Sequence, residues 1–475
     1  MKVKMSKFLL EKKSTLKKLL DILSMDFKYV SILGTDSFGK QYLVQNTGVS
    51  IEDSFWNERG FVVRIYNGIG YSEYSFNNIN SATVVEVAKN IKYRVNYEIK
   101  KMKASVNITT YPIINEEKIN SSFLGEVKVS FEETSDKDII SRLTLLNRKA
   151  TSISEFVVNC KIKLQQVHVS KIFISSKKDL TQSYVWSEGY IFPITRKEKK
   201  TKFNYSSVSG LKGVEILDEM DSQVDENVSM AVKLLDAKPL KPGEYDAICS
   251  PDVSGIIAHE AFGHGVEMDM FVKNRAKAKA YIGKEVASNI VTMRDGATSA
   301  KEVSSYLFDD EGSIGGDTTI IKDGILETGI CDILSALRLG VNPTGNGKRQ
   351  SFERKAYTRM TNTFFENGKD KIGDMISSIK YGYFLNCPTS GMEDPKNWGI
   401  QCMVNYGLEI KNGKFTGNIV SPVVMTGYVP DLLKSISMVS NEVELKGSGA
   451  CGKGYKEFVK VSSGGPYIKA KVRLG

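Results

Sequence analysis

Hydrophobic and polar positions along the chain alternate with two different periods, and the changes from one to the other mark its elements. From Met1 to Met25 lysines are interspersed with Phe8, Leu9, Leu10, Leu16, Leu19 and Leu20, a spacing that predicts an amphipathic first helix. Strand-like runs follow at Tyr29 to Leu33 and Gly60 to Tyr66, the second ending in the hairpin dipeptide Asn67-Gly68. Helices are expected from about Ile79 to Tyr97 and near Asp136 to Ser152. The long alternating runs Lys161 to Ser175 and Ser183 to Thr195 predict a twisted antiparallel sheet. Helical spacing returns from about Val224 to Ala237. Then Lys238-Pro239-Leu240-Lys241-Pro242-Gly243 concentrates proline and glycine where a boundary would fall. Beyond it the strand Tyr245 to Cys249 feeds a helix, and the remainder is short β runs separated by glycine, with a further helical stretch at Met375 to Lys380.

The pattern predicts an α+β protein in three parts: a small N-terminal α/β unit (1–110), a middle antiparallel-sheet region with its connecting helix (111–237), and a large β-rich C-terminal domain (238–475). A length of 475 residues is too great for one ordinary core. With 41% hydrophobic and 25% charged residues the composition is that of a soluble globular chain. No apolar run reaches the length of a membrane span, and the N-terminal apolar stretch is too short for a signal-peptide core. The six cysteines are scattered without framework spacing, so a reduced, cytoplasmic chain is expected. A net charge of +10 invites a nucleic-acid reading. The excess is spread as single lysines and one cluster, Arg196-Lys197-Glu198-Lys199-Lys200-Thr201-Lys202, with no nucleic-acid-binding signature beside it. It reads as a solvated loop, and the overall charge suits acidic peptides or an acidic partner subunit.

Only three histidines occur in the chain, and two of them stand in His259-Glu260-Ala261-Phe262-Gly263-His264. In the zinc-protease pattern His-Glu-x-x-His the histidines lie four apart on one helix face and the glutamate acts as general base. Here they lie five apart, which on an ordinary α-helix turns the imidazoles roughly 140° away from each other. A π-bulge adds a residue to the turn and restores a common face, and Gly263 stands where it would fall. The expectation is a locally widened helix from about Val253 to Glu267, capped by Asp252 or Ser250, and this is the metal helix of the C-terminal domain.

A catalytic zinc site needs a third protein ligand and an open position. His168 sits in a strand-like run and reads as a pairing residue. Cys451, in Gly449-Ala450-Cys451-Gly452-Lys453-Gly454, is a better candidate, because flanking glycines allow close approach and Lys453 would favour the thiolate. Glu267 is an alternative third ligand; alternatively Glu267 and Asp269 orient the ligating imidazoles. Tyr357, Arg359 and Asn362 offer hydrogen-bond donors for a tetrahedral intermediate or a peptide backbone, against the reading that they bond their own loop. Asp309-Asp310-Glu311-Gly312 lacks the alternating spacing of a Ca²⁺ loop and reads as a structural turn.

The segment His259 to Asp269 and the loop around Cys451 resemble the TldD/PmbA family of metalloproteases, in particular its TldD-type, zinc-carrying members. Four further blocks, in the family's order, extend the resemblance over nearly the whole chain: Glu58 to Arg64, Phe308 to Gly312, Arg354 to Thr363 and Glu409 to Lys414. The resemblance implies one Zn²⁺ per chain held by His259, His264 and Cys451, with Glu260 as the base that activates a zinc-bound water. It implies a peptidase acting on unfolded or extended peptides, precursor peptides among them. It also implies a dimer, formed either with an inactive PmbA/TldE-type paralogue or with a second copy. Two other readings follow from the same family: a non-catalytic PmbA-like subunit, and a regulatory protein of the DNA-gyrase-modulator type. One departure is that family members continue from the cysteine as Gly-Lys-x-Gly-Gln, where this chain has Gly452-Lys453-Gly454-Tyr455.

Overall fold

The computed structural model describes residues 1–104, 108–454 and 457–475. Helix α1 (Lys7–Ser24) starts at Ser6, whose hydroxyl accepts the free amide of Leu9, and it buries Leu9, Leu16, Leu19 and Leu23. The strands beside it are β1 (Val30–Gln45), β2 (Gly48–Asp53), β3 (Glu58–Tyr66) and β4 (Tyr71–Phe76). Next come α2 (Val84–Lys103), β5 (Ile119–Leu124), α3 (Asp136–Ser152), the long strands β6 (Val157–Ser175) and β7 (Lys178–Lys197), β8 (Lys200–Phe203), β9 (Ser206–Gly210) and α4 (Ile216–Lys233).

All of these strands belong to one sheet, ordered β4-β3-β1-β6-β7-β5, with β2 on β1 and both β8 and β9 on β7. The division expected near residue 111 therefore does not separate two sheets. β1 lies against β6 from Ser31↔Ser175 to Val44↔Ile162, and this long pairing covers an edge that would otherwise expose its backbone groups. Two helices also shift from their expected bounds. The Asn80 side chain accepts the amides of Ala82 and Thr83, a local turn that delays α2. Helix α4 begins before Val224 because Ile216, Leu217 and Met220 continue its buried stripe, with Asp218 and Glu219 favourably placed in the first turn. The basic cluster forms the β7–β8 hairpin.

A second, eleven-stranded sheet holds the C-terminal half. Its strand β10 (Gly243–Cys249) runs parallel to Tyr381–Asp394 and antiparallel to Ser462–Leu474. Pairings continue from Tyr381–Asp394 through Gly399–Lys411 and Val423–Tyr428 back to Ser462–Leu474, so the strands around β10 close a ring. The largest hydrophobic cluster, including Val253, Ile257, Phe262, Met293 and Leu385, fills the space between this sheet and the helix that β10 feeds.

The acidic run Asp309-Asp310-Glu311 joins the two halves. Asp310 pairs with Lys171 of β6, and Glu311 pairs with Arg64 of β3 at 2.5 Å. Arg349 reaches Glu73 of β4 at 2.9 Å. Asp309 accepts the amides of Glu311, Ser313 and Gly347, so every carboxylate of the run is engaged by the protein itself.

Candidate metal centre

After β10, Ser250 caps the next helix by accepting the Val253 amide, while Asp252 points away to Lys446. The helix α5 (Pro251–Ile256) gives way to a π-helical stretch, Ile257–Gly263, and then to one 3₁₀ turn, His264–Val266. The expected widening is thus present, as three consecutive pitches in one continuous helix. Gly263 suits this place, since a Cβ would stand 2.2 Å from the sulfur of the buried Met360 side chain and force it to shift. Widening brings the His259 and His264 rings to 5.1 Å between centroids.

Cys451 arrives on a two-stranded hairpin, Ala450–Lys453 with Glu457–Lys460. Its sulfur lies 3.5 Å from His264 Nε2, and the ligand atoms of His259, His264 and Cys451 all lie within 4.8 Å of one another. Among the described residues this is the one His/Cys/carboxylate group with such spacing. Burial pushes the Cys451 thiol up, but the two imidazoles outweigh it and hold the thiol well below its usual range. Burial likewise opposes charge on His264, and there Cys451 and Glu267 prevail and raise its pKa. His259 Nδ1 is buried with no hydrogen-bond partner among the described residues. A thiolate and two imidazoles, one of them with its buried Nδ1 orphaned, make a donor set that fits Zn²⁺. Because ligating imidazoles must be neutral, binding would expel the proton shared within this cluster.

Glu260 faces the same space, its Oε2 4.0 Å from His264 Nε2 and its side chain 22% exposed. Burial raises its pKa against the opposing pull of the imidazoles. Gly391, on the strand Tyr381–Asp394, lies so close that a Cβ there would be 2.5 Å from Glu260 Cγ.

Glu267 is nearly inaccessible, and its Oε2 accepts from His264 Nδ1 at 3.1 Å, which fixes the ring with Nε2 toward Cys451. It therefore orients a histidine and is not one of the three clustered ligand residues. Burial would raise its pKa, yet Lys453, His264 and Arg359 keep the carboxyl far below the usual range. Asp269 does not reach an imidazole. It accepts from Lys453 Nζ at 2.7 Å and from Lys273 at 3.2 Å. Lys453 donates to Glu267, Asp269 and the Thr358 carbonyl, so the thiolate owes its stability to the imidazoles rather than to this lysine.

The Tyr357 to Asn362 block divides. Arg359 is buried and donates to the carbonyls of Cys451 and Glu457, clamping the hairpin. Asn362 is also buried and donates to Gly296 O and Ser305 Oγ. Both side chains are thus spent on the protein's own backbone and side chains, although Arg359 Nε, 4.0 Å from Glu267 Oε1, is buried with no hydrogen-bond partner among the described residues. Tyr357 is half-buried beside Lys273 and Lys355. His168 lies in the other sheet between Glu132 and Ser183, 2.7 Å from each. The Tyr455 end of the cysteine loop lies outside the described residues.

Glu393 has no counterpart among the sequence candidates. It stands two residues beyond Gly391 on the same strand face, where a Cβ on Gly265 would lie 2.6 Å from its Oε1, and neither carboxylate oxygen has a side-chain partner among the described residues. Burial lifts its pKa well above the usual range, against the nearby His264. Strand alternation from Gly391 is the only signal that points to it.

Comparison with known proteins finds relatives among the metallopeptidases. The PmbA/TldA metallopeptidase C-terminal domain matches residues 242–472. A metalloprotease TldD homolog of Buchnera aphidicola is 33% identical over 254 residues, covering 53% of this chain and 52% of that protein. A zinc metalloprotease TldD homolog of Saccharolobus solfataricus is 33% identical over 232 residues, 49% of this chain and 51% of that one. A metalloprotease of Methanocaldococcus jannaschii is 28% identical over 354 residues, 74% and 76% of the two chains. The match thus spans about half the length of the first two relatives and three quarters of the third. Two crystal structures share the fold over nearly all of the chain. A Thermotoga maritima protein described as a modulator of a DNA gyrase superposes with a TM-score of 0.76 at 16% identity, covering 98% of this chain and 100% of its own. TldE from Thermococcus kodakarensis gives 0.73 at 17% identity, covering 97% and 100%.

Proposed function

Since the chain belongs to the TldD/PmbA family of metallopeptidases, we propose that it is a zinc-dependent peptidase in which His259, His264 and Cys451 hold the ion and Glu260 is the general base. The observation that carries this is the convergence of the three ligand atoms within 4.8 Å beside the Glu260 carboxylate. Zinc held there supplies Lewis acidity, lowering the pKa of a water toward about 7 and polarising the scissile carbonyl. Glu260, its proton affinity raised by burial, takes the proton of the attacking water on its carboxylate and returns it to the leaving amine. Glu267 keeps His264 in one orientation, and Arg359 holds the Cys451 backbone in place.

The substrate is an extended peptide. Beyond Leu385 the strand Tyr381–Asp394 is paired on one side only, with Gly399–Lys411, and Gly391 of that strand touches Glu260. A peptide added along the open edge would pass the base with its backbone extended, a mode tolerant of sequence and closed to folded proteins. A dimer, either with a PmbA/TldE-type chain or with a second copy, would cover this open edge. Among the described residues no helix is long and apolar enough to cross a membrane, and a cytoplasmic location accords with the free cysteines.

The test compares wild type with Glu260→Ala for bound zinc by metal analysis and for cleavage of an unstructured peptide, alone and with a PmbA/TldE-type partner. Retained zinc with cleavage reduced by about 10²- to 10⁴-fold is expected. Equal cleavage by both proteins removes Glu260 from its role. Salt-sensitive DNA binding with no cleavage in any combination favours the gyrase-modulator reading instead.

A further inference from the structure

Lys348 stands on the short strand Gly347–Lys348, on the wall of a cavity of about 90 Å³ between the first sheet and the C-terminal half. Its ammonium donates to oxygens from three separate segments: Ser304 Oγ at 2.8 Å, the Lys460 carbonyl at 2.5 Å and the Met360 carbonyl at 3.4 Å. An ammonium has three N–H groups, so each finds one acceptor. Ser304 donates in turn to the same Lys460 carbonyl at 3.2 Å, which closes the junction.

Two of these oxygens lead directly to the metal centre. Met360 is fully buried, and its sulfur is the atom that a Cβ on Gly263 would strike, so it packs on the π-helical turn between His259 and His264. Lys460 pairs across the hairpin with Ala450, and Val459 beside it pairs with Cys451. One side-chain nitrogen therefore ties the backing of the histidine helix to the strand opposite the cysteine. Arg359, the residue before Met360, holds the Cys451 carbonyl, so slack at Met360 would reach the hairpin by a second route.

None of the three acceptors carries charge. The charged groups nearby are Arg359, Lys171, Asp295 and Asp310, with the Tyr306 ring 5.8 Å from the nitrogen. Asp310 is paired with Lys171, Asp295 accepts from Asn346, Thr361 and Thr363, and the Lys460 ammonium is turned to Glu188. Burial, with Arg359 next, pushes the Lys348 pKa down to about 7. On losing its proton the amine keeps two N–H donors for three acceptors.

We propose that Lys348 is a positioning residue that holds the Gly263 turn and the cysteine hairpin in register, and that its protonation tightens this hold. The consequence for zinc rests on the metallopeptidase reading; the hold on the hairpin does not.

The experiment compares the full-length chain with Lys348→Met, which keeps the length and removes the donors, and with Lys348→Arg, which keeps donors and charge at every pH and can extend into the cavity. In the zinc-free chain, hydrogen exchange of the Ala450–Lys453 and Glu457–Lys460 amides should be about tenfold faster in the Met variant and near wild type in the Arg variant, as for loss of a hydrogen bond from a charge. Competition with a chromophoric chelator should show zinc held about tenfold more weakly by the Met variant at about pH 6, the gap narrowing to about threefold at about pH 8.5. Equal exchange and equal zinc affinity in wild type and Lys348→Met overturn the proposal, and a gap that does not change with pH overturns the part played by the proton. Should the Met variant fail to fold, the affinity ratio of Lys348→Arg to wild type decides: it should rise about threefold over the same pH range, and a flat ratio overturns the proposal. The expected exchange in a chain that takes up no zinc would keep the positioning role and remove the metallopeptidase reading alone.

Discussion

Replacing Lys453 by methionine keeps the length of the side chain and deletes one charge. Its ammonium donates to Glu267 at 2.9 Å, to Asp269 at 2.7 Å and to the Thr358 carbonyl at 3.0 Å. Both carboxylates are buried, with side chains 1% and 9% exposed. Without Lys453, Glu267 keeps His264 and a distant Arg359 at 4.0 Å, while Asp269 keeps only Lys273. Removing one partner of a buried pair costs about 3–5 kcal/mol. The loss should fall at the lower end, about 3 kcal/mol, since Lys453 is 12% exposed and each acid retains one cation. That is a large part of a typical stability of about 5–15 kcal/mol. The His264 ring, released from a well-fixed Glu267, should also bind zinc about 10- to 100-fold more weakly. Urea unfolding in the presence of chelator measures the first effect, and competition with a chromophoric chelator measures the second. Adding Asp269→Asn should recover at least about 1 kcal/mol, because the two residues share one interaction. If Lys453→Met unfolds within about 0.5 kcal/mol of wild type and holds zinc equally well, the lysine does not organise these acids and the reasoning fails.

Gly263→Ala drives a methyl into the Met360 sulfur, so it should destabilise the chain by about 1–3 kcal/mol and reduce bound zinc, read by melting and metal analysis. Asn362→Ala should lower stability by about 1–3 kcal/mol with zinc affinity unchanged, because its amide donates to Gly296, Ser305 and, at 3.5 Å, Ala300; a selective loss of catalytic rate in a fully folded variant would contradict that role. Burial lifts Glu58 to about 7, above an unfolded value near 4.3. A raised folded pKa gives stability that is complete below about pH 4.3 and lost as the pH rises to 7. Glu58→Gln should therefore gain on wild type across that window in thermal melts, and parallel pH curves would count against it.

What could be read in advance was local chemistry. The five-residue spacing of His259 and His264, together with Gly263, already required a widened turn, because no ordinary helix lets the two rings share an ion. The long alternation of β6 and β7 and the capping serine at 250 were visible for similar reasons. Partners far apart in sequence were not. Nothing in the β1 run states that its edge will be taken by β6, which is why residues 1–110 looked like a separate unit. Likewise a polar residue such as Asn362 or Arg359 looks available to a ligand until its fully buried environment is known. Lys453 and Asp269 were both recognised, yet their roles depend on a contact between segments 184 residues apart. Glu393 went unnoticed because an acid on a strand ordinarily faces water, and only the packing of that strand against Gly265 turns it inward.

The His264 and Cys451 side chains meet although they stand 187 positions apart in sequence. As the polypeptide emerges from the ribosome, the histidines appear first and wait unaccompanied while the greater part of the C-terminal sheet is still being made. Even when the cysteine follows, the strand Ser462–Leu474, which pairs with the β10 strand leading into the histidine helix, remains to be added. A nascent chain thus holds no complete set of ligands, and whatever hydrolytic capacity the centre confers stays dormant until translation of this half is essentially finished.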